Sequence, residues 1–139
     1  MPRDLTTFFY PKSVAVIGAS RSQEKLGSIV LRNIINSGFK GKVYPINPKV
    51  ETLNELKYYK DLVSIPEIVG LAVISVPAEL VLQVLNQAGE KGIKNVIVFA
   101  SGFRETGVNG EKLEKDLVQI ANKYNINLLG PNCLGFVNT

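Results

Sequence analysis

The chain has 139 residues, 45% of them hydrophobic, with a formal charge of +4, a single cysteine and no histidine. That size suits one compact domain burying roughly two-thirds of the surface its unfolded chain exposes. Cys133 alone excludes a disulfide framework or a cysteine-based zinc site, and the missing histidine excludes the commonest general base and any phosphohistidine on these residues.

Lysines and arginines are interspersed with acids, so the basic excess fits a polyphosphate ligand and argues against a nucleic-acid partner. The opening "MPRDLTTFFYPKS" has no apolar h-region, and no later run approaches the roughly 20 residues of a spanning helix. The expectation is a cytoplasmic protein with no membrane partner.

In chain order, residues 1–12 read as a lead-in whose Phe8, Phe9 and Tyr10 pack on the domain ahead of Pro11. Five short apolar segments follow, "SVAVI" (13–17), "KVYPI" (42–46), "LAVISV" (71–76), "NVIVF" (95–99) and "NLL" (127–129). They are rich in β-branched residues and almost unbroken in apolar character, as strands buried on both faces are. Between them run helical stripes. Leu26, Ile29, Val30, Asn33 and Ile34 share one face before Gly38; Leu80, Val81, Val84, Leu85 and Ala88 share another before Gly89 or Gly92; Leu113, Leu117, Ile120, Ala121 and Tyr124 form the third.

The stretch from Glu51 to Gly70 is irregular and predicts a loop, a short helix near Asp61 to Ser64, and a link into the third strand. Strict alternation of strand and helix implies parallel strands with right-handed crossovers. The fold class is therefore α/β, a Rossmann-like doubly wound parallel sheet of five or more strands in a single domain over residues 1–139, with strand order 3-2-1-4-5 or a close relative.

In such sheets the ligand lies outside the carboxyl ends of the strands, so five loops carry the functional reading. In "GASRSQEKLG" (18–27), Gly18 permits a tight turn, Ala19 and Ser20 follow, and the next helix brings free N–H groups to an anion. Ser20 stands where G-x-G-x-x-G has its second glycine, so a plain turn with a serine cap fits as well.

The second loop is Asn47, Pro48 and Lys49. An acid here would favour a free ribose diol, whereas a cation favours a phosphorylated ribose, as in NADP or coenzyme A; a solvated surface lysine is the plain alternative. In "SVPAEL" (75–80), Val76 and Pro77 offer an apolar wall for a base or a pantetheine arm, unless Pro77 serves only to break the strand.

The long loop "FASGFRETGVNG" (99–110) has Ala100, Ser101 and Gly102 where a chain can approach closely, or else is a solvated loop. "GPNCLG" (130–135) presents Asn132 and Cys133 at the end of the fifth strand, and with no histidine to activate it Cys133 alone reads better as an inert thiol. Neither a catalytic constellation nor a metal site is expected.

Together "FYPKSVAVIGAS", "GKVYPINPK", "LAVISVPAE" and "LLGPNCLGFVN" resemble the N-terminal CoA-binding domain of NDP-forming acyl-CoA synthetases, the ADP-forming acetate–CoA ligase family, related to the succinyl-CoA synthetase α subunit. The resemblance runs from about Phe8 to the last residue. It implies coenzyme A or acyl-CoA as ligand, with Gly18, Ala19, Ser20 and Arg21 at the nucleotide end and Lys49 of the Asn47-Pro48-Lys49 turn on phosphate. It further implies that Val76, Pro77, Ser101 and Gly102 border nucleotide and pantetheine, and that Asn132 and Cys133 lie near the thiol.

Complete members of that family convert acid, CoA and nucleoside triphosphate to acyl-CoA, nucleoside diphosphate and phosphate through a phosphohistidine on a second domain, with nucleotide held by an ATP-grasp module. Both would be supplied by remaining synthetase domains or a partner subunit, so these residues are expected to bind without turnover. A CoA-sensing module, standing alone or fused to an acyltransferase, shares the same loops. An NAD(P)-binding oxidoreductase domain is the third reading, against which stand the missing second glycine and the missing ribose acid.

Overall fold

A computed structural model of the chain describes residues 11–18, 26–49, 52–53, 56–99 and 108–129. The expected packing of Phe8, Phe9 and Tyr10 lies outside the described residues. Five parallel strands form the main sheet: β1 (Ser13–Ile17), β2 (Lys42–Ile46), β5 (Leu71–Ile74), β6 (Asn95–Val98) and β7 (Asn127–Leu129). A two-stranded antiparallel hairpin, β3 (Thr52–Leu53) and β4 (Leu56–Lys57), sits between the second and third of them. Among the described residues three helices complete the order, α1 (Leu26–Asn36), α2 (Ala78–Lys91) and α3 (Val108–Lys123).

All five residues of β1 and all four of β5 are buried, which is why neither alternates polar with apolar. Their side chains still alternate between faces. Ala15, Ile17, Ala72 and Ile74 pack with Leu62, Ile65 and Val69 of the crossover, with Val81, Leu85 and Ala88 of α2, and with Leu117 and Ala121 of α3. Val14, Val16, Leu71 and Val73 pack on the opposite face with Leu31 of α1 and with Tyr58. Helices on both faces make the sheet doubly wound. Leu80, in the first turn of α2, leaves the apolar stripe and is 45% exposed.

The sheet order is β2-β1-β5-β6-β7, so the long strands run 2-1-3-4-5 in chain order. This corrects the 3-2-1-4-5 expectation to its close relative, and the reason lies outside β2. There the hairpin returns the chain to Tyr59, which forms a parallel bridge with Ile46, donating its N–H to the Pro45 carbonyl at 2.8 Å. The segment that precedes the third long strand thus occupies the edge that strand would need, and the chain crosses back over β1 instead.

The crossover has a turn where a short helix was expected. Asp61 Oδ1 accepts from the Ser64 N–H at 2.9 Å and from its hydroxyl at 2.7 Å. Helix cannot propagate from there, because Ile65 precedes Pro66 and is steered away from helical angles.

Two helices end in the same way. Gly92 adopts φ 90°, donates to the Gly89 carbonyl, and is followed by Ile93, whose N–H reaches the Ala88 carbonyl at 3.0 Å. Asn125 adopts φ 55°, donates to Asn122, and is followed by Ile126, whose N–H reaches Ala121 at 2.8 Å. Both are Schellman caps, with the residue after the left-handed position buried as an apolar plug. Each cap delivers the chain to a strand within three residues of the left-handed position, and those strands open on Asn95 and Asn127.

These asparagines belong to a polar chain across the amino-terminal end of the sheet. Asn127 Nδ2 donates to Asn95 Oδ1 at 2.9 Å, Asn95 Nδ2 donates to the Gly70 carbonyl at 3.1 Å, and the Gly70 N–H donates to Ser13 Oγ at 2.9 Å. Four consecutive strand entries in the sheet, from β1 to β7, are thereby tied side to side with their buried polar groups satisfied.

Candidate functional site

The register brings the loop residues to one level. Ile17 is paired with Ile46 on one side and with Ile74 on the other, so Gly18, Asn47 and Ser75 emerge together at the carboxyl edge. The ladder extends one residue past the strands: Gly18 N–H to the Ile46 carbonyl at 3.2 Å, Ser75 N–H to Ile17 at 2.8 Å, and Phe99 N–H to Ile74 at 2.8 Å. From this common floor the chain leaves β1 toward β2 and leaves β5 toward β6. The direction of winding reverses between β1 and β5, and that boundary is the switch point at which open α/β sheets take ligands.

Gly18 turns the chain at the inner wall with φ 106°, in the left-handed half of backbone space. The Ser75 carbonyl fills the space that a side chain there would take. Beyond it Val76 is half-buried and Pro77 exposed, and Pro77 is the residue from which α2 starts, with no side-chain cap on the helix. The edge therefore offers apolar surface beside a helix start that leaves its first N–H groups to other partners.

Asn47 and Lys49 form the outer wall. Asn47 Oδ1 accepts the Lys49 backbone N–H at 2.9 Å, an Asx turn with Pro48 at its centre. The Asn47 N–H in turn donates to the Tyr59 carbonyl at 2.9 Å. Tyr59 is itself fixed, its ring meeting Tyr44 edge-on at 5.4 Å and 70°, with the Lys57 ammonium 4.9 Å above it. The Lys49 side chain leaves this rigid support exposed to solvent.

Carboxylates with perturbed acidity lie on the crossover. Hydrogen bonds from Lys42 and then from Tyr44 hold the Glu67 carboxyl below its ordinary range. Lys42 opens β2, so this ion pair sits at the amino-terminal end, opposite the crevice. The Ser64 hydroxyl does the same for Asp61, while burial, followed by the bond to Glu67, pushes the Tyr44 phenol up. These groups serve the fold. Among the described residues no three His, Cys, Asp or Glu side chains gather as a metal site, and no helix is long and apolar enough to cross a membrane.

Of the residues singled out from sequence, Gly18, Asn47, Pro48, Lys49, Val76 and Pro77 are brought to this one edge. Ala19, Ser20, Arg21, Ser101, Gly102, Asn132 and Cys133 lie outside the described residues. Two residues that sequence reasoning missed are Tyr59, which holds the outer turn, and Ser75, which shapes the inner one. Both act through the backbone, and a lone bridge or a buried carbonyl leaves no periodic signal; the only hint was an aromatic pair in an otherwise irregular stretch.

Residues 12–139 match the family described as CoA binding domain. Acetate–CoA ligase (ADP-forming) II of Archaeoglobus fulgidus is 45% identical over 136 residues, covering 98% of this chain and 20% of the relative. The α subunit of acetate–CoA ligase (ADP-forming) II of Pyrococcus furiosus is 47% identical over 135 residues, covering 97% of this chain and 29% of that subunit. Among solved structures, the Ca. Korarchaeum cryptofilum dinucleotide forming acetyl-coenzyme A synthetase 1, in complex with phosphate and ADP, superposes with a TM-score of 0.89 at 47% identity. That match covers 95% of this chain and 28% of the synthetase. The chain thus spans a minor part of the length of each of these relatives.

Proposed function

Since the chain belongs to the CoA-binding domain family, with coenzyme A as its cofactor, we propose that it serves as the coenzyme-holding domain of a cytoplasmic ADP-forming acyl-CoA synthetase. The observation that carries this reading is Lys49, presented by a braced turn at the outer end of the switch-point crevice, where a free-ribose site would have an acid. Coenzyme A lies across the carboxyl edge. Its phosphorylated ribose meets Lys49, its diphosphate meets the Gly18, Ala19, Ser20 and Arg21 turn, and Val76 and Pro77 flank the base or the pantetheine arm. Ser101 and Gly102 allow the arm to pass, and Asn132 and Cys133 stand near the thiol.

The chemistry divides accordingly. In the whole enzyme, acid, CoA and nucleoside triphosphate give acyl-CoA, nucleoside diphosphate and phosphate. These 139 residues contain no histidine to carry a phosphoryl group, so that relay and the nucleotide site belong to other synthetase domains or to a partner subunit. The domain contributes binding and orientation, bringing the thiol to a fixed place so that attack on the activated acyl group becomes effectively unimolecular.

Calorimetric titration of the chain with CoA, and with NAD and NADP as controls, at low and moderate salt tests the reading. Saturable binding of CoA alone, weakened by salt, is the expected result. Binding of NAD or NADP without CoA would overturn it.

A further inference from the structure

The Asx turn after β2 does more than expose a lysine. The loop it occupies is the one in which dinucleotide folds carry an aspartate or glutamate on a free ribose hydroxyl. Here the first loop residue is Asn47, half-buried, with its Oδ1 on the Lys49 N–H and its own N–H on the Tyr59 carbonyl. An aspartate could close the same turn, because the hydrogen bond from the Lys49 N–H is accepted by a side-chain oxygen. What aspartate would add is a negative charge beside the cation that the turn presents. A free ribose diol donates hydrogen bonds to such a charge, whereas a ribose phosphate is repelled by it.

We infer that Asn47 is a positioning and selectivity residue. Its amide oxygen closes the turn that holds Lys49 in place, and its neutrality keeps the outer end of the site open to a phosphorylated ribose. The inference rests on the coenzyme A reading above and adds to it the residue that separates coenzyme A from its dephospho form. Lys49 supplies attraction; Asn47 supplies placement without an opposing charge.

The test is titration of the 139-residue chain with CoA and with dephospho-CoA, for wild type, Asn47→Asp, Asn47→Ala, Lys49→Ala and the double variant Asn47→Ala/Lys49→Ala. Thermal unfolding of each protein checks that the fold is retained. Asn47→Asp is expected to keep the wild-type unfolding temperature, to lose about tenfold in CoA affinity, and to lose less than about twofold for dephospho-CoA. Asn47→Ala is expected to weaken CoA binding when Lys49 is present and to add little once Lys49 is gone, because it acts through that residue.

Equal losses for both ligands in Asn47→Asp, or an undiminished effect of Asn47→Ala in the Lys49→Ala background, would overturn the inference. Should Asn47→Asp unfold, the comparison of Asn47→Ala with and without Lys49 decides the matter alone. Wild-type protein that binds both forms equally removes the selectivity while leaving the coenzyme A reading in place. Wild-type protein that binds neither form removes both.

Discussion

A methyl group on Gly18 would lie 1.9 Å from the carbonyl oxygen of Ser75 and 2.8 Å from its carbonyl carbon. Backbone cannot yield as a flexible side chain can, and Gly18 also holds φ 106°. Strain of the left-handed backbone and overlap with Ser75 add together. Gly18→Ala is expected to destabilise the fold by roughly 2–4 kcal/mol, lowering the unfolding temperature by about 10 °C, and to abolish CoA binding. Calorimetric unfolding and titration of the variant check both; a stable protein with unchanged affinity would show that β1 and β5 separate easily at the crevice.

Lys49→Glu places a negative charge where the ribose phosphate is expected. Affinity for CoA should fall on the order of 10- to 100-fold, with a smaller fall for dephospho-CoA, and the salt dependence of CoA binding should flatten. Equal falls for the two ligands would put Lys49 on the diphosphate or away from the ligand altogether.

Gly89 and Tyr124 make a second close approach, with an added Cβ at Gly89 falling 2.2 Å from the ring. The ring has little room to move, since its hydroxyl donates to Asn86 Oδ1 at 3.1 Å and the Lys123 ammonium lies 5.1 Å from its centroid. Helix propensity favours alanine over glycine by about 1 kcal/mol, whereas forced overpacking costs about 1–3 kcal/mol. Overpacking is expected to win, so Gly89→Ala should lower stability by about 1 kcal/mol. Combined with Tyr124→Ala it should become stabilising, as a denaturant-unfolding cycle over the four proteins would reveal.

The acid limb of stability has an identified source. Asp61 and Glu67 both have carboxyls held below their ordinary values of 3.8 and 4.5. Below those values the unfolded chain binds the extra protons, so their contribution is present at neutral pH and lost as pH falls through the lower folded values. Lys42 and Glu67 are well exposed, so their share is small. Asp61→Asn keeps an oxygen for the Ser64 N–H yet removes the titration. Its unfolding temperature should fall less steeply than that of wild type below about pH 4; an identical slope would place the acid sensitivity elsewhere.

The buried strands were legible because a parallel sheet covered on both faces turns strand positions into unbroken apolar runs such as "SVAVI" and "LAVI". The stripes of α2 and α3 were legible for the matching reason, with Val81, Leu85, Ala88, Leu117 and Ala121 all found in the core, whereas in α1 the core residue is Leu31, outside the expected stripe, and Asn33 is exposed. Sequence left two candidates for the end of α2. The structure selects Gly92, which takes the left-handed angle, and gives Gly89 a different purpose against Tyr124. Strand order escaped the sequence because it turns on Tyr59 bridging to Ile46, a contact across the irregular stretch. At the edge itself, loop positions followed from strand ends, whereas the hydrogen bond from Lys49 to Asn47 had no sequence signal beyond an asparagine before a proline.

The side-to-side ties through Ser13, Gly70, Asn95 and Asn127 all lie at the end of the sheet remote from the crevice. Side chains thereby anchor the alignment of the strands at one end, while at the opposite rim the described register is carried by the backbone ladder. Changes in the loops on that rim that leave Gly18 and Ser75 in place are expected to spare the register beneath them. A scaffold built in this way can change what it grips while keeping the same frame, which makes its upper loops the natural place to redirect it toward other phosphorylated carriers.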